Sequence, residues 1–205
     1  MLLIVPTLDR ELGMRTRNQA LLLAGLENVR AVVAVDESRS GWTRNVNRHL
    51  PLTQNQDQSW TVTDDVCILN DDCVVRIGWL SSLWDELEGR SDCWFAGPSG
   101  PCRTAPQNTG RPNDERPPQM VSHVAGFCLV VKREAIQALG PLDETFNHYG
   151  SDVDWQWKAQ RDHGKRTLWI PSVYVDHGLH EPKQPWYGMD NRVFWQRWSN
   201  RWQKG

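Results

Sequence analysis

The sequence predicts an α/β protein with a mostly parallel central sheet flanked by helices. Three observations carry that prediction. Short, unbroken apolar runs recur at residues 2–5, 31–35 and 66–69, and runs of that length without alternation read as strands buried on both faces. Helical spacing fills the gaps, and strand–helix–strand–helix–strand is the order that builds a parallel sheet. Each run also ends on polar residues: Pro6-Thr7, Asp36 and Asn70-Asp71-Asp72. Ligands of open α/β sheets collect beyond the carboxyl ends of the strands.

Residues 2–5 form the first strand, stopped at Pro6. A helix follows over residues 11–26, closed near Gly25 or Asn28. Residues 31–35 are the second strand, and residues 41–47 a loop entering a short helix. Residues 66–69 are the third strand. Ile77, Leu80, Leu83, Trp84 and Leu87 then recur at helical spacing and mark an amphipathic helix. Residues 98–118 hold six of the twelve prolines and little that is apolar. A connection that long suggests a functional loop. A buried strand is expected over residues 124–131, and a short helix over 133–139 before Gly140-Pro141. Ser151 with Asp154 three residues later resembles a capping box that opens a helix ended by Gly164. A last strand, residues 167–175, runs into Asp176-His177.

The chain has 205 residues, enough for one domain with a sizeable core. Lys and Arg number 23 against 25 Asp and Glu, so no global field favours nucleic acid or an anionic membrane. The apolar start breaks at Pro6, without a basic leader or an apolar core of signal-peptide length, and no apolar run is long enough to span a bilayer. Five cysteines with no C-x-x-C spacing argue against a disulfide framework or a zinc knuckle. Cys67, Cys73 and Cys128 sit in or beside apolar runs and read as small buried hydrophobes, so a cytoplasmic location is expected. Twelve tryptophans against four Phe and three Tyr are the compositional anomaly.

Three places carry chemistry. Asn70-Asp71-Asp72 puts adjacent carboxylates at a strand end, where hard divalent ions find the oxygen ligands they prefer; the same triplet is also ordinary turn chemistry. Asp152 and Asp154 open a helix, where the dipole favours acids, and a carboxylate there could also serve as a general base. His177, after an acidic residue at the end of the last strand, offers an imidazole that suits manganese better than magnesium.

Taken in order, these stretches resemble the inverting family 2 glycosyltransferases of the GT-A fold. The matching segments are Leu3-Ile4-Val5-Pro6-Thr7, Val35-Asp36, Gly41-Trp42-Thr43-Arg44-Asn45-Val46-Asn47 and Ile68-Leu69-Asn70-Asp71-Asp72, the last resembling the DXD motif. They continue with Gly126-Phe127-Cys128-Leu129-Val130, Gly140-Pro141-Leu142-Asp143-Glu144-Thr145-Phe146, Tyr149-Gly150-Ser151-Asp152-Val153-Asp154-Trp155 and residues 171–177. The resemblance implies a nucleoside-diphosphate sugar as donor and manganese or magnesium as cofactor. Pro6, Thr7 and Asp36 would line the base and ribose pocket, with Arg44 and Asn45 near the base or diphosphate. Asn70 and Asp71 would lie in the nucleotide-sugar site, with Asp71 contacting ribose or metal. Asp72 and His177 would hold the metal, and Asp152 would be the general base that activates the acceptor hydroxyl. The chain would then be a single catalytic domain, 1–205. Residues 1–97 would form the nucleotide-sugar half, 98–120 a flexible loop, and 121–205 the acceptor half. Ser151 stands where the family often has Glu, and Asn70 replaces the first acid of the motif.

Lys183, Arg192, Arg197, Arg201 and Lys204 face one acid, Asp190, in the C-terminal segment. Spacings of three and four align Trp195, Trp198 and Trp202 on one helical face. Such a stripe can pack on the domain, or contact a membrane bearing a lipid-linked acceptor. It can also stack on nucleic acid, which would make a modified nucleobase the acceptor. The acceptor is otherwise a saccharide. Two rival readings use the same acids. A nucleotidyltransferase acting on sugar phosphates should carry a glycine-rich or basic loop near the first strand; Arg10, Arg15 and Arg17 are there, but a glycine-rich cradle is not. A non-catalytic nucleotide- or glycan-binding module would use the acids only for turns and caps.

Overall fold

In the computed structural model, residues 1–103, 106–178 and 186–199 are described. In chain order the elements are β1 (Leu2–Thr7), α1 (Arg10–Leu22), β2 (Arg30–Val35), α2 (Trp42–Asn47), β3 (Leu52–Gln54), β4 (Trp60–Val62), β5 (Val66–Leu69), β6 (Cys73–Val74) and α3 (Trp79–Glu88). Then follow β7 (Cys93–Ser99), a short 3-10 turn (Gln107–Thr109), β8 (Gln119–Val121), β9 (Cys128–Val131), α4 (Arg133–Leu139), α5 (Ser151–His163), β10 (Arg166–Tyr174), β11 (Asp176–His177) and α6 (Tyr187–Trp198).

Seven strands form the central sheet in the order β2-β1-β5-β9-β7-β10-β8. The parallel pairs are β1–β2, β1–β5 and β7–β10, while β9 runs against both β5 and β7, and β8 against β10. The sheet is therefore mostly parallel, with two reversed strands. Period-two alternation splits its residues between two covered faces. Leu3, Val5, Cys67, Leu69, Cys128 and Val130 pack toward α1 and α3, with Trp79, Leu80, Leu83 and Leu87 opposite. Ile4, Val66, Ile68, Leu129 and Val131 pack toward α2, α4 and α5, with Val46, Ile136, Trp155 and Ala159 opposite. Burial on both faces explains why these strands read as continuous apolar runs.

Several expectations are corrected. The first helix ends at Leu22, because Gly25 takes φ +70 and the chain turns there. The strand expected over 124–131 begins only at Cys128, and residues 124–127 are an irregular connection. Pro98 lies inside β7 rather than in the loop, and β8 occupies the loop's far end. The capping box does not form. Gly150, with φ +85, is the N-cap of α5, and the Ser151 hydroxyl turns away to meet Thr43 Oγ1 at 2.9 Å.

The tail is a helix packed on the domain, and of the expected stripe Trp198 makes that packing while Trp195 does not. α6 buries Asp190, Phe194 and Trp198, at spacings of four, against Phe146 and Trp157. Trp195 is 49% exposed. Lys183, Arg201, Trp202 and Lys204 lie outside the described residues. Among the described residues no helix is long and apolar enough to cross a membrane.

Candidate active site

The topology gathers the polar strand ends at one edge of the sheet. Parallel β2, β1 and β5 end side by side on Asp36, Thr7 and Asn70. Antiparallel β9 begins there, just after Gly126 and Phe127. The ends of β7 and β10 bring Ser99 and Val175 to the same edge, where Val175 donates to the Ser99 carbonyl. β6 and β11 then pair, setting His177 opposite Cys73 and beside Asp72. Asp152, at the start of α5, reaches the same edge through the Gly126 amide, which donates to its Oδ2 at 2.7 Å.

Asp72 Oδ1 lies 3.3 Å from His177 Nε2. His177 Nδ1 lies 3.0 Å from the Pro101 carbonyl. A carbonyl oxygen only accepts, so Nδ1 carries the hydrogen and Nε2 is the atom turned on Asp72. The ring stacks on Phe127 at 4.7 Å, which fixes its plane. Burial opposes protonation of His177, but the Asp72 carboxylate, the Pro101 carbonyl and Asp176 together outweigh it and raise its pKa. Asp72, Cys73 and His177 each bring a ligand atom within 4.8 Å of the others. The Cys73 thiol is a poor member of that set. Burial pushes its pKa well up, and it donates to the Phe127 carbonyl at 3.5 Å. Among the described residues the usable donors of this set are thus one carboxylate and one imidazole. A backbone carbonyl orients the imidazole, the outer contact typical of metal-ligating histidines.

Asp71 turns toward β1. Its Oδ2 sits 2.5 Å from Thr7 Oγ1, and its carbonyl accepts from Thr16 Oγ1. Burial, with Asp72 beside it, raises its pKa. Asn70 Oδ1 accepts from the Trp42 indole at 3.1 Å, which ties α2 to the end of β5. An open depression of about 450 Å³, lined by Leu12, Arg15, Thr16 and Gln19 of α1, gives access to Asp71 and Asp72.

Asp152 is held from several sides. Burial raises its pKa, offset in part by the Gly126 amide and the first amides of the helix. The segment carrying Gly126 is itself pinned. Gln156 accepts from the Val124 amide at 2.8 Å and donates to the Val124 carbonyl at 2.9 Å, and Gln107 accepts from the Ala125 amide at 2.6 Å. A Cβ on Gly126 would stand 2.9 Å from Asp152 Oδ2, so the carboxylate rests where only glycine leaves room. Asp154 has a different job: it is 1% exposed and bonds Lys158, Arg197 and the Trp198 indole, anchoring α6.

Three further candidate residues face protein partners. Asp36 accepts from the Ser40 and Gly41 amides at 3.0 and 2.8 Å and from two serine hydroxyls. These outweigh its burial and lower its pKa. It shapes the loop into α2. Gly41 needs its positive φ there, and its Cβ would strike the Asn147 carbonyl at 2.3 Å. Arg44 bonds Ser40, Glu144 and Asn147. Asn45 is buried and donates to the Ala34 carbonyl, joining α2 to β2. Pro6 is buried within β1. The edge therefore brings together Thr7, Asn70, Asp71, Asp72, His177 and Asp152, while Asp36, Arg44 and Asn45 brace the surrounding loops. Sequence reasoning missed Gln107, Gln156, Thr43 and Asp190; each looks like an ordinary loop or helix polar residue, and only its buried partners reveal it.

No protein-family profile and no curated protein matches the sequence. Solved structures do. GalNAc-T7 with UDP, GalNAc and Mn2+ superposes with a TM-score of 0.61 at 14% identity, over 86% of this chain and 43% of that one. Drosophila β1,4-galactosyltransferase 7 complexed with xylobiose gives 0.55 at 18% identity, over 89% and 71%. A mutant of that enzyme with manganese, UDP-Gal and xylobiose gives 0.54 over the same shares. The chain thus spans less than half the length of the first of these. Identities this low speak to architecture alone, and the architecture of this chain is the GT-A glycosyltransferase fold.

Proposed function

We propose that this chain is a metal-dependent, inverting glycosyltransferase of the family 2 type, which moves a sugar from a nucleoside-diphosphate donor to an acceptor hydroxyl. The observation that carries the reading is the Asp72–His177 pair. Its carboxylate and oriented imidazole meet at 3.3 Å, on the sheet edge that also carries Asp152. The pair fits a divalent ion of the manganese kind, with remaining positions for donor phosphates. GT-A neighbours crystallised with Mn2+ and UDP support that choice, and UDP is the first nucleotide to test. When bound, such an ion offsets the charge that builds on the departing diphosphate.

In this reading the protein's own residues divide the remaining work. Thr7 and Asp71 hold the ribose side of the donor, with Pro6 as the pocket floor. Asp36, Arg44 and Asn45 act by fixing the loop that carries Trp42 and Thr43. Asn70 fixes Trp42. Asp152 takes the proton from the acceptor hydroxyl as that oxygen attacks the anomeric carbon, and a single displacement inverts that centre. Its raised pKa makes it a stronger base than an exposed carboxylate. The donor half is residues 1–97 and the acceptor half 121–205, in one catalytic domain. The buried cysteines suit the reducing cytoplasm.

The test is transfer or hydrolysis of UDP-sugars with manganese, comparing wild type with Asp72→Ala and Asp152→Ala. Each variant should keep its circular dichroism spectrum and lose at least about a hundredfold in rate. Proton NMR of the product should report the inverted anomer. Full activity in either variant, or a retained anomer, overturns the assignment of roles.

A further inference from the structure

Two segments far apart in sequence bring aromatic rings together beside the proposed base. His148 and Tyr149 immediately precede the Gly150-Ser151-Asp152 turn, and three residues of chain span at most about 10 Å. Trp186 and Tyr187 open α6. His148 packs edge-on to Tyr149 at 4.6 Å and lies nearly parallel to Trp186 at 6.5 Å, and Tyr149 meets Tyr187 edge-on at 5.2 Å. Nearby, Trp195 packs edge-on against Phe194, and Phe146, Trp157, Phe194 and Trp198 are buried in the core. These four are not: His148, Tyr149 and Trp186 are half-buried and Tyr187 is 53% exposed.

The group is held in place by a buried charge. Asp190, one turn into α6, has no exposure and accepts from the amides of Asn147, His148 and Tyr149 at 3.0, 2.8 and 2.9 Å. From the other side, the Asn147 carbonyl accepts from the Thr43 amide, and Thr43 Oγ1 meets Ser151 Oγ at 2.9 Å. The rings therefore stand on a rigid seam between the donor loop and the helix that carries Asp152. Both segments lack cations: residues 146–154 and 186–191 contain Asp152, Asp154 and Asp190 but no Lys or Arg. Arg44, which bonds Asn147, is spent on Ser40 and Glu144 as well, so among the described residues of these two segments the phosphates of nucleic acid or of an anionic lipid find no ready partner. A neutral ligand with one flat apolar face and a polar rim does.

We infer that His148, Tyr149, Trp186 and Tyr187 form the acceptor subsite and that the acceptor is a saccharide, its pyranose ring stacked on these aromatics with a hydroxyl turned to Asp152. This deepens the glycosyltransferase reading and rests on it.

Saturation-transfer NMR on the full chain with UDP and manganese tests the inference, using xylobiose, cellobiose, lactose and maltose as probes. At least one disaccharide should receive saturation on its ring protons. The signal should persist in Trp195→Ala, whose ring lies elsewhere on α6, and fall about tenfold in Tyr187→Ala. Calorimetric binding of UDP with manganese, measured on the same wild-type sample, reports on the underlying reading separately. UDP binding with no signal from any disaccharide overturns the acceptor inference alone. A signal that survives Tyr187→Ala unchanged also overturns it, as does an oligonucleotide or an anionic phosphatidylglycerol vesicle whose binding is lost in that variant.

Discussion

Asp190→Asn should destabilise the protein by about 3 kcal/mol, although the substitution keeps the side chain's shape. The carboxylate divides its bonds between its two oxygens. Oδ1 accepts from the Asn147 amide and its Nδ2, at 3.0 and 3.2 Å, and Oδ2 accepts from the His148 and Tyr149 amides, at 2.8 and 2.9 Å. An amide has one acceptor oxygen. Whichever way it turns, its NH2 faces two donors, and those two lose their acceptor. An unsatisfied buried donor costs about 1–3 kcal/mol, and the surviving pair also loses its charge assistance. Two donors give a sum of roughly 2–6 kcal/mol, to which the lost charge assistance adds, and because the loop is half-buried water recovers part of the loss, leaving about 3 kcal/mol. For a chain of this size each kcal/mol lowers Tm by about 2–4 °C, giving a drop of about 6–12 °C by calorimetry. Trp195→Ala, on the exposed side of the same helix, should shift Tm by no more than about 2 °C. An Asp190→Asn protein that melts with wild type would refute the claim that this carboxylate ties α6 to the loop before Asp152.

Other outcomes follow from the same geometry. Gly126→Ala should cut kcat/KM at least about tenfold in manganese-dependent donor turnover, because its Cβ displaces Asp152 and small misplacements of a base cost up to about a hundredfold; an unchanged rate would show that Asp152 is not the base. Ser151→Glu, which restores the residue common in the family, should destabilise by about 3 kcal/mol in urea, since it buries a charge against Thr43, which has no exposure; a neutral effect would mean the site has room for the acid. The acid limb of kcat/KM should lie above the ordinary carboxylate range, since burial raises the Asp152 pKa and the base works only when ionised; a limb at or below that range would point to another base. Asp143 is lowered from 3.8 to about 2, because its Thr145 and Arg197 partners outweigh its burial. Its contribution is complete above about pH 4 and is lost as pH falls through about 2. Arg197→Ala should therefore move the midpoint of acid unfolding upward, and an unmoved midpoint would count against the ion pair.

Much of this was legible in the sequence, for physical reasons. Strands buried on both faces, such as β1 and β5, announce themselves as apolar runs, and β2, half-buried at the sheet edge rather than fully buried, carries a run of the same kind, so all three and their polar ends could be read directly. Strand direction leaves no such mark, and nothing in Cys128-Leu129-Val130-Val131 reveals that it runs against its neighbours. β7 escaped because Gly97 and Pro98 lie inside it, and proline usually demotes a strand. The β3–β4 hairpin escaped because three-residue strands carry almost no period. At the site, Asp72, His177 and Asp152 were visible as residue types at strand and helix ends. The groups that hold them were not: Gln107 looked like any polar residue of a proline-rich loop, and Asp190 like a routine acid in a first helical turn. The tryptophan excess resolves by location. Trp79, Trp155 and Trp169 are core, Trp157 and Trp198 seat the tail, Trp42 braces Asn70, and Trp186 joins the proposed acceptor face.

The central claim is that Asp72 and His177 hold a metal on which donor binding depends. Calorimetric titration with UDP, with GDP and ADP as alternatives, tests it most directly, in the presence and absence of manganese, on wild type and on Asp72→Ala. One of these diphosphates should bind wild type only with manganese, and Asp72→Ala should weaken this binding at least about tenfold. Binding indifferent to both manganese and Asp72, or no binding of any of the three, would contradict it.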